Sequence, residues 1–144
     1  MSLKHIAIIM DGNRRWAKLK KVSLKEAYKC GVQNLNKTVE NALELNVDYL
    51  TVFGFSTENW NRSNDEIEFL LNLFENFLDE ATNKILTKDI KVRFIGDLSK
   101  FNLNIQNKMK TLSKKSKVNN GITLTLAVNY GGRYDVLQAC KKYS

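Results

Sequence analysis

A short stretch near the start of the chain combines side chains that can bind a metal ion and a phosphate group. It follows an apolar run typical of a buried strand and consists of an acid, two small residues and two arginines: Asp11, Gly12, Asn13, Arg14 and Arg15. An aspartate can hold a divalent cation, and a guanidinium can form two parallel hydrogen bonds with phosphate oxygens. Gly12 would let a ligand approach the backbone at the start of the next helix, where N–H groups favour anions. The stretch therefore predicts a site for a metal ion and a diphosphate.

Two of these side chains also have common structural roles. An aspartate just before a helix is often its N-cap, and Asn13 suits either a cap or a left-handed turn. The two adjacent arginines favour the ligand-binding interpretation of Asp11, because a bound metal and phosphate would account for both signs of charge.

A second polar stretch, residues 56–64, follows another apolar run. It contains hydroxyl, acidic, amide, indole and guanidinium groups: Ser56, Thr57, Glu58, Asn59, Trp60 and Arg62. Glu58 and Asn59 are candidates for hydrogen bonding to a ligand. Trp16 and Trp60 are more often packing residues, but the loop around Trp60 is so polar that its indole needs an apolar group to cover.

The hydrophobic pattern predicts the strands and helices that position these stretches. Apolar, β-branched runs predict four strands, at residues 4–10, 49–55, 90–95 and 122–128. Helical spacing of apolar residues predicts helices that begin near residues 13, 25, 65, 98 and 134. Because strand and helix alternate, the fold is predicted to be α/β, with an open, mainly parallel sheet and helices on both faces.

The carboxyl ends of parallel strands face one crevice, where open α/β sheets bind ligands. Four polar stretches follow predicted strand ends: residues 11–15, 56–62, 96–97 and 129–133. We therefore expect all four stretches to converge on one site. The helix after residue 64 carries an apolar stripe that is either core or, for a lipid substrate, the wall of a hydrophobic tunnel. The stripe consists of Ile67, Leu70, Leu71, Phe74, Phe77 and Leu78.

The composition predicts a single domain over residues 1–144, with a hydrophobic fraction of 43%. No apolar run is long enough for a membrane span, and Cys30 and Cys140 lack partners at metal-ligand spacing, so a cytoplasmic location is expected. The net charge of +8 comes mainly from lysines, 18 of the 23 basic residues, spread along the chain. No nucleic-acid partner is therefore expected.

Missing motifs argue against several enzyme classes. His5 is the only histidine and precedes a strand, which argues against a serine–histidine hydrolase. The chain has no glycine-rich loop of the P-loop or dinucleotide-binding type. It also lacks an Asp-Asp-x-x-Asp pattern, so phosphate would be held by arginines and backbone amides, with one carboxylate for a metal.

Four stretches resemble, in order, the motifs of the cis-prenyltransferase family. They are MDGNRRWAK at residues 10–18, FGFSTENWNR at 53–62, RFIGD at 93–97 and NYGGR at 129–133. The resemblance runs over essentially the whole chain, and the first two motifs are highly specific.

The resemblance implies Mg²⁺-dependent condensation of isopentenyl diphosphate with an allylic diphosphate of the farnesyl diphosphate class, forming cis double bonds and a long-chain polyprenyl diphosphate lipid carrier. By resemblance, Asp11 is catalytic and the metal ligand, Asn59 removes a proton after C–C bond formation, and Glu66 is the acid of a mobile loop. The implied substrate-binding residues are Gly12, Asn13, Arg14, Arg15, Trp16, Ser56, Thr57, Glu58, Trp60 and Arg62.

The resemblance also implies partners. It implies a homodimer, or a partner chain that supplies a missing part, and peripheral contact with a membrane for the lipid product. The family usually continues past the NYGGR motif with an Arg-x-Ser motif for isopentenyl diphosphate and a metal-binding glutamate, so the chain is expected to be truncated there.

The chain departs from the family at Leu24 and Tyr28, where the family usually carries an arginine and a histidine that help to hold the allylic diphosphate. The alternative function is a non-catalytic or degenerate subunit that binds diphosphate or a partner chain without turnover.

Overall fold

The computed structural model describes residues 3–85 and 88–143, except for the side chains of residues 84 and 85. Strands and helices alternate in this part of the chain, which confirms the predicted α/β class. The strands and α-helices are, in order, β1 His5–Ile9, α1 Asn13–Lys20, α2 Leu24–Glu44, β2 Tyr49–Ser56, α3 Asn64–Ile85, β3 Lys91–Ile95, α4 Leu103–Lys115, β4 Thr123–Tyr130 and α5 Gly132–Tyr143. Short 3₁₀ helices lie at Thr57–Asn61, Leu98–Lys100 and Ser116–Val118.

The four strands form one parallel sheet in the order β1-β2-β4-β3. Tyr49 is in register with His5 on one side and with Thr123 on the other, and Lys91 is also in register with Thr123. Since all strands start at the same level and run in the same direction, their carboxyl ends meet at one edge. Polar residues that follow any strand are therefore delivered to that edge.

One face of the sheet carries the hydrophobic core. Leu50, Leu124 and Val92 point into it from three strands and are almost completely buried. Helices α2, α3 and α4 all contribute to the same cluster, for example through Leu78 and Ile105. Helices α2, α3 and α4 therefore cover this face of the sheet.

The opposite side of the sheet is more exposed, and we call it the open face. It presents the side chains that alternate with the core residues: His5, Ala7, Ile9, Tyr49, Thr51, Phe53, Arg93 and Ile95. Strand β1 lies at the sheet edge, and Ile9 is 76% exposed. The prediction of a buried first strand was therefore wrong, because a five-residue apolar run does not show whether both faces are covered.

Backbone contact joins the ends of β3 and β4. Gly96 has a φ of +116°, and a Cβ atom there would lie 2.1 Å from the carbonyl oxygen of Val128. The N–H of Asp97 donates to the carbonyl of Asn129 at 3.2 Å. Strand β4 extends through Tyr130, so Asn129 and Tyr130 belong to the strand rather than to the loop predicted after residue 128.

Replacing Gly96 with alanine is expected to lower the free energy of unfolding by about 2–4 kcal/mol, because the new Cβ both clashes with the Val128 carbonyl and strains a positive φ. Urea denaturation measures the change. The matched control is Gly132→Ala, since a Cβ at Gly132 meets nothing within 4 Å and stability should be unchanged or slightly higher. Equal stability of the two variants would contradict the expectation.

Candidate functional site

The start of α1 lies directly after the end of β1. Gly12, in the left-handed conformation, is the N-cap of α1, and none of the described side chains caps the helix. Asp11 lies one residue earlier and accepts hydrogen bonds from the backbone N–H of Gly12 at 2.6 Å and from the guanidinium of Arg15 at 2.9 Å. Asp11 is therefore not the N-cap, and the uncapped first turn of α1 presents backbone N–H groups suited to an anion.

The side chain of Asn13 faces α2 rather than serving as a cap or a left-handed turn. A Cβ atom added to Gly31 of α2 would lie 3.1 Å from the Asn13 side-chain oxygen. The lack of a side chain at Gly31 thus lets α2 approach the start of α1 closely.

The carboxylate of Asp11 is exposed and ionised. Its pKa is held below the usual value, first by the N–H of Gly12 and then by the hydrogen bond and charge of Arg15. The side chain is 72% exposed, so a second cation can approach it. Asp11 therefore has the charge and access expected of a metal ligand.

Other metal ligands do not gather around Asp11. Within residues 3–85 and 88–143, no three His, Cys, Asp or Glu side chains come together in a way that could hold a metal ion. Mg²⁺ is often held by one or two carboxylates together with substrate phosphates. The donor set around Asp11 fits Mg²⁺ in that mode, with a diphosphate completing the coordination.

Two further arginines meet at a nearly buried acid. Glu66 is only 8% exposed, and its carboxylate pairs with Arg14 at 2.7 Å and with Arg62 at 3.0 Å. Tyr28 donates its hydroxyl hydrogen to Glu66 at 2.7 Å. Glu66 lies in the first turn of α3 and is held by these partners, which differs from the mobile-loop position implied by the family resemblance.

The stretch after β2 is a 3₁₀ helix, not an open polar loop. Ser56 caps it: its side chain accepts from the backbone of Asn59, and the Asn59 side-chain oxygen accepts from the Ser56 N–H at 3.0 Å. Glu58 is exposed, and hydrogen bonds from Ser56 and Thr57, together with the charge of Arg133, hold its pKa below the usual value. The reciprocal Ser56–Asn59 bonds fix the orientation of the Asn59 side chain.

Trp60 belongs to the same 3₁₀ helix, and its side chain is anchored by a hydrogen bond and by ring packing. Its indole N–H donates to the side-chain oxygen of Asn129 at 2.8 Å, and Asn129 in turn donates to the Asp97 carbonyl at 2.8 Å. The indole ring packs edge-on against Phe55 with 5.1 Å between centroids and lies 5.9 Å from Phe101. Phe55 and Phe101 are the apolar cover that a tryptophan in so polar a stretch requires.

Several of these residues line a cleft with a volume of about 490 Å³. The predicted site residues that line it are Asp11, Gly12, Asn13, Arg14, Arg15, Ser56, Asn59 and Arg62. Helix α3 forms an apolar wall with Leu70, Leu71, Leu73, Phe74 and Phe77. The cleft therefore joins a cationic mouth to an apolar interior.

Four predicted binding residues are not among the described residues that line this cleft: Trp16, Thr57, Glu58 and Trp60. Residues 96–97 and 129–133 do not line it either, so only two of the four predicted stretches do so. The other two support the site from behind, through Asp97, Asn129 and Gly131. A Cβ at Gly131 would lie 2.6 Å from the Thr57 hydroxyl oxygen, so Gly131 allows a close approach there.

Tyr28 lines the cleft, although sequence reasoning did not assign it to the site. It fitted the apolar spacing of a helix and was noted only as a departure from the family. Its hydroxyl oxygen accepts from Arg62 at 2.5 Å as well as donating to Glu66. A tyrosine in an otherwise aliphatic helical stripe is the one signal that could have pointed to it.

A parallel α/β sheet with a carboxylate and arginines at the mouth of an apolar cleft defines a protein suited to a phosphorylated apolar molecule. A family model described as "Putative undecaprenyl diphosphate synthase" matches residues 9–144. The chain therefore belongs to this prenyltransferase family, which confirms the resemblance found in its motifs.

Individual relatives are similar over almost the whole of this chain. An isoprenyl transferase of Campylobacter jejuni (strain RM1221) is 40% identical over 140 residues, which cover 97% of this chain and 63% of the relative. A (2Z,6Z)-farnesyl diphosphate synthase of Solanum lycopersicum is 43% identical over 138 residues, or 96% of this chain and 47% of the relative. The chain thus spans less than two thirds of either relative.

A solved structure shares the fold. The lavandulyl diphosphate synthase from Lavandula x intermedia, in complex with dimethylallyl diphosphate, matches with a TM-score of 0.94 and 35% identity. The match covers 99% of this chain and 61% of that protein. In the described part of this chain, no helix is both long enough and apolar enough to span a bilayer.

Replacing Arg15 with glutamine is expected to raise the pKa of Asp11 towards the usual aspartate value, because the variant loses the Arg15 charge and weakens its hydrogen bond. The pKa should stay below that value, since the Gly12 N–H bond remains. Titration of the carboxyl carbon by NMR measures the shift. Arg133→Gln is the control and should leave the pKa of Asp11 unchanged.

Replacing Asn129 with alanine is expected to lower the free energy of unfolding by about 2–4 kcal/mol, because the Trp60 N–H and the Asp97 carbonyl both lose their partner. Tryptophan emission in a Trp16→Phe background should shift as the Trp60 indole loses its anchor. Asn72→Ala, on the exposed side of α3, provides the control for chemical denaturation. An unshifted emission spectrum would show that Asn129 does not hold Trp60.

Proposed function

We propose that this chain binds an allylic diphosphate and takes part in its Mg²⁺-dependent condensation with isopentenyl diphosphate to form a cis-polyprenyl diphosphate. The observation that carries the proposal is the cleft, in which a cationic mouth leads directly into an apolar interior. A prenyl diphosphate has the matching polarity, since a charged head is joined to a hydrocarbon tail.

The head group would be held at the mouth. Arg14, Arg15 and Arg62 line it, and each can form bidentate hydrogen bonds with phosphate oxygens. The uncapped first turn of α1, beginning at Gly12, adds backbone N–H donors. The hydrocarbon tail would lie along the apolar wall of α3.

In the condensation, the allylic C–O bond breaks and diphosphate leaves with the bonding electrons. The double bond of isopentenyl diphosphate supplies the electrons of the new C–C bond, and one proton is then lost. Mg²⁺ held by Asp11 would offset the charge that develops on the leaving diphosphate. Arg62, already held in position by Glu66 and Tyr28, would stabilise the same charge without reorganising, and Arg14 would add a second guanidinium.

Asn59 is proposed to accept the lost proton. Its side-chain oxygen has two lone pairs, and the hydrogen bond from Ser56 uses one of them. The same bond orients the amide, and Asn59 lines the cleft beside the arginines.

Assembly and location belong to the same proposal. The condensation needs two diphosphate substrates, and the three arginines of the mouth are proposed to hold one of them. We propose that a homodimer or a partner chain completes the enzyme in the cytoplasm, with peripheral contact with a membrane that receives the lipid product. A long-chain polyprenyl diphosphate of the undecaprenyl type is the proposed product.

The second candidate is a subunit that binds diphosphate without turnover. Leu24 and Tyr28 favour it, since they occupy positions where the family resemblance implies an arginine and a histidine that help to hold the allylic diphosphate. Such a subunit would bind an allylic diphosphate in the same cleft but would not form a C–C bond.

Incorporation of labelled isopentenyl diphosphate into butanol-extractable lipid tests the proposal, with farnesyl diphosphate and Mg²⁺ present. Asp11→Asn is expected to lower incorporation at least about 100-fold, since it removes the ionised carboxylate proposed to hold the metal. Asp65→Asn, an exposed residue of α3 outside the cleft, is the matched control and should retain activity.

The same preparation separates the two candidate functions. A lack of incorporation together with a farnesyl diphosphate-dependent rise in melting temperature would support the binding subunit. Neither incorporation nor a rise in melting temperature would overturn both.

A further inference from the structure

Four segments of the chain meet at the Glu66 carboxylate. Arg14 comes from α1, Tyr28 from α2 and Arg62 from the turn before α3, while Glu66 itself opens α3. Arg14, Tyr28 and Arg62 each donate a hydrogen bond to Glu66. Tyr28 also accepts a hydrogen bond from the Arg62 atom Nη1 at 2.5 Å. We call these four residues the Glu66 cluster.

The charges of this cluster leave a net positive charge for a ligand. One carboxylate faces two guanidinium groups, and each guanidinium contacts it through a single terminal nitrogen. Among the hydrogen bonds found in the described structure, Arg62 uses only Nη1 and Arg14 only Nη2. A guanidinium has five N–H donors, so one edge of each arginine stays open to phosphate while Glu66 remains paired.

Tyr28 holds this arrangement together in two ways. Its hydroxyl bridges Glu66 and Arg62, and its ring lies 5.8 Å from the Arg62 guanidinium carbon. Burial and the hydrogen bond to Glu66 raise the pKa of Tyr28 to about 12, so the hydroxyl keeps its proton at neutral pH. The ring also packs against Phe69, which fixes the tyrosine from the side of α3.

The two arginines differ in how firmly they are held. Arg62 is 24% exposed and bonded to both Tyr28 and Glu66, whereas Arg14 is 59% exposed and bonded to Glu66 alone. Arg14 can therefore move towards a ligand while Arg62 stays in place. If Arg14 leaves Glu66, Tyr28 and Arg62 still pair the buried carboxylate, which avoids the cost of an unpaired buried charge.

We propose that Tyr28 and Glu66 are positioning residues for the diphosphate: together they fix Arg62 in the cleft and keep Arg14 ready to transfer to a phosphate oxygen. This inference rests on the proposed function, since it requires that the cleft binds a diphosphate. In this proposal the Tyr28 hydroxyl does not contact the diphosphate itself but raises the affinity of the cleft for it by positioning Arg62.

Binding of inorganic pyrophosphate by isothermal titration calorimetry tests the inference. Tyr28→Phe keeps the ring but removes the hydroxyl, and it is expected to weaken binding about tenfold, the effect of losing a hydrogen bond to a charged group. Tyr49→Phe, on the open face, removes a hydroxyl far from the cleft and should leave affinity unchanged.

A double-mutant cycle distinguishes positioning from a general loss of stability. Glu66→Gln alone should also weaken binding, and adding Tyr28→Phe to it should cost little more, because both act through the same arginines. If the losses of pyrophosphate affinity in the two single variants simply add in the double variant, the proposed coupling of Tyr28 and Glu66 is overturned. Melting temperatures of all variants are measured in parallel, since a purely structural role would lower them without this non-additivity.

The outcomes separate the two proposals. Wild-type protein that fails to bind pyrophosphate would overturn the proposed function and the inference with it. Wild-type protein that binds, while Tyr28→Phe binds equally well, would overturn the inference and leave the proposed function standing.

Discussion

The parallel pairing of β4 with both β2 and β3 is the constraint on which the site depends. It brings the ends of strands that are far apart in the chain to one edge, where Asn129 can contact both Trp60 and Asp97. The 3₁₀ helix that carries Asn59 rests on this contact. Replacing Asn129 would therefore disturb the position of Asn59 in the cleft. Asn129 itself is 3% exposed and is not among the described residues that line the cleft.

Charge balance inside the cleft follows from the same convergence. Arg15 is paired with Asp11, and Arg14 and Arg62 share Glu66, so three guanidinium groups are kept close together without unopposed repulsion. The acids do not neutralise the arginines completely, because two carboxylates face three cations. The ligand-free site is thus stable as folded and still attracts an anion.

The sequence predicted the alternation of strands and helices and the polar stretch from Asp11 to Arg15. Both can be predicted locally, because the spacing of apolar residues and the residue types are visible among neighbours in the chain. The sequence could not predict the bond between Tyr28 and Glu66, which lie 38 residues apart and meet only when α2 and α3 pack. Nor could it show that Asn129 lies within a strand, since asparagine more often marks a turn. The family model confirms the family, whereas the roles given to individual site residues remain predictions.

The open face has a consequence for how the isolated chain behaves in solution. Apolar side chains such as Ile9 and Ile95 lie exposed on one side of the sheet, and exposed apolar surface favours self-association. The net charge of +8 opposes it by mutual repulsion between molecules. Salt shortens the range of that repulsion but leaves the apolar attraction in place. Low ionic strength, at a pH well below the isoelectric point of about 9.5, is the condition that keeps the molecules dispersed.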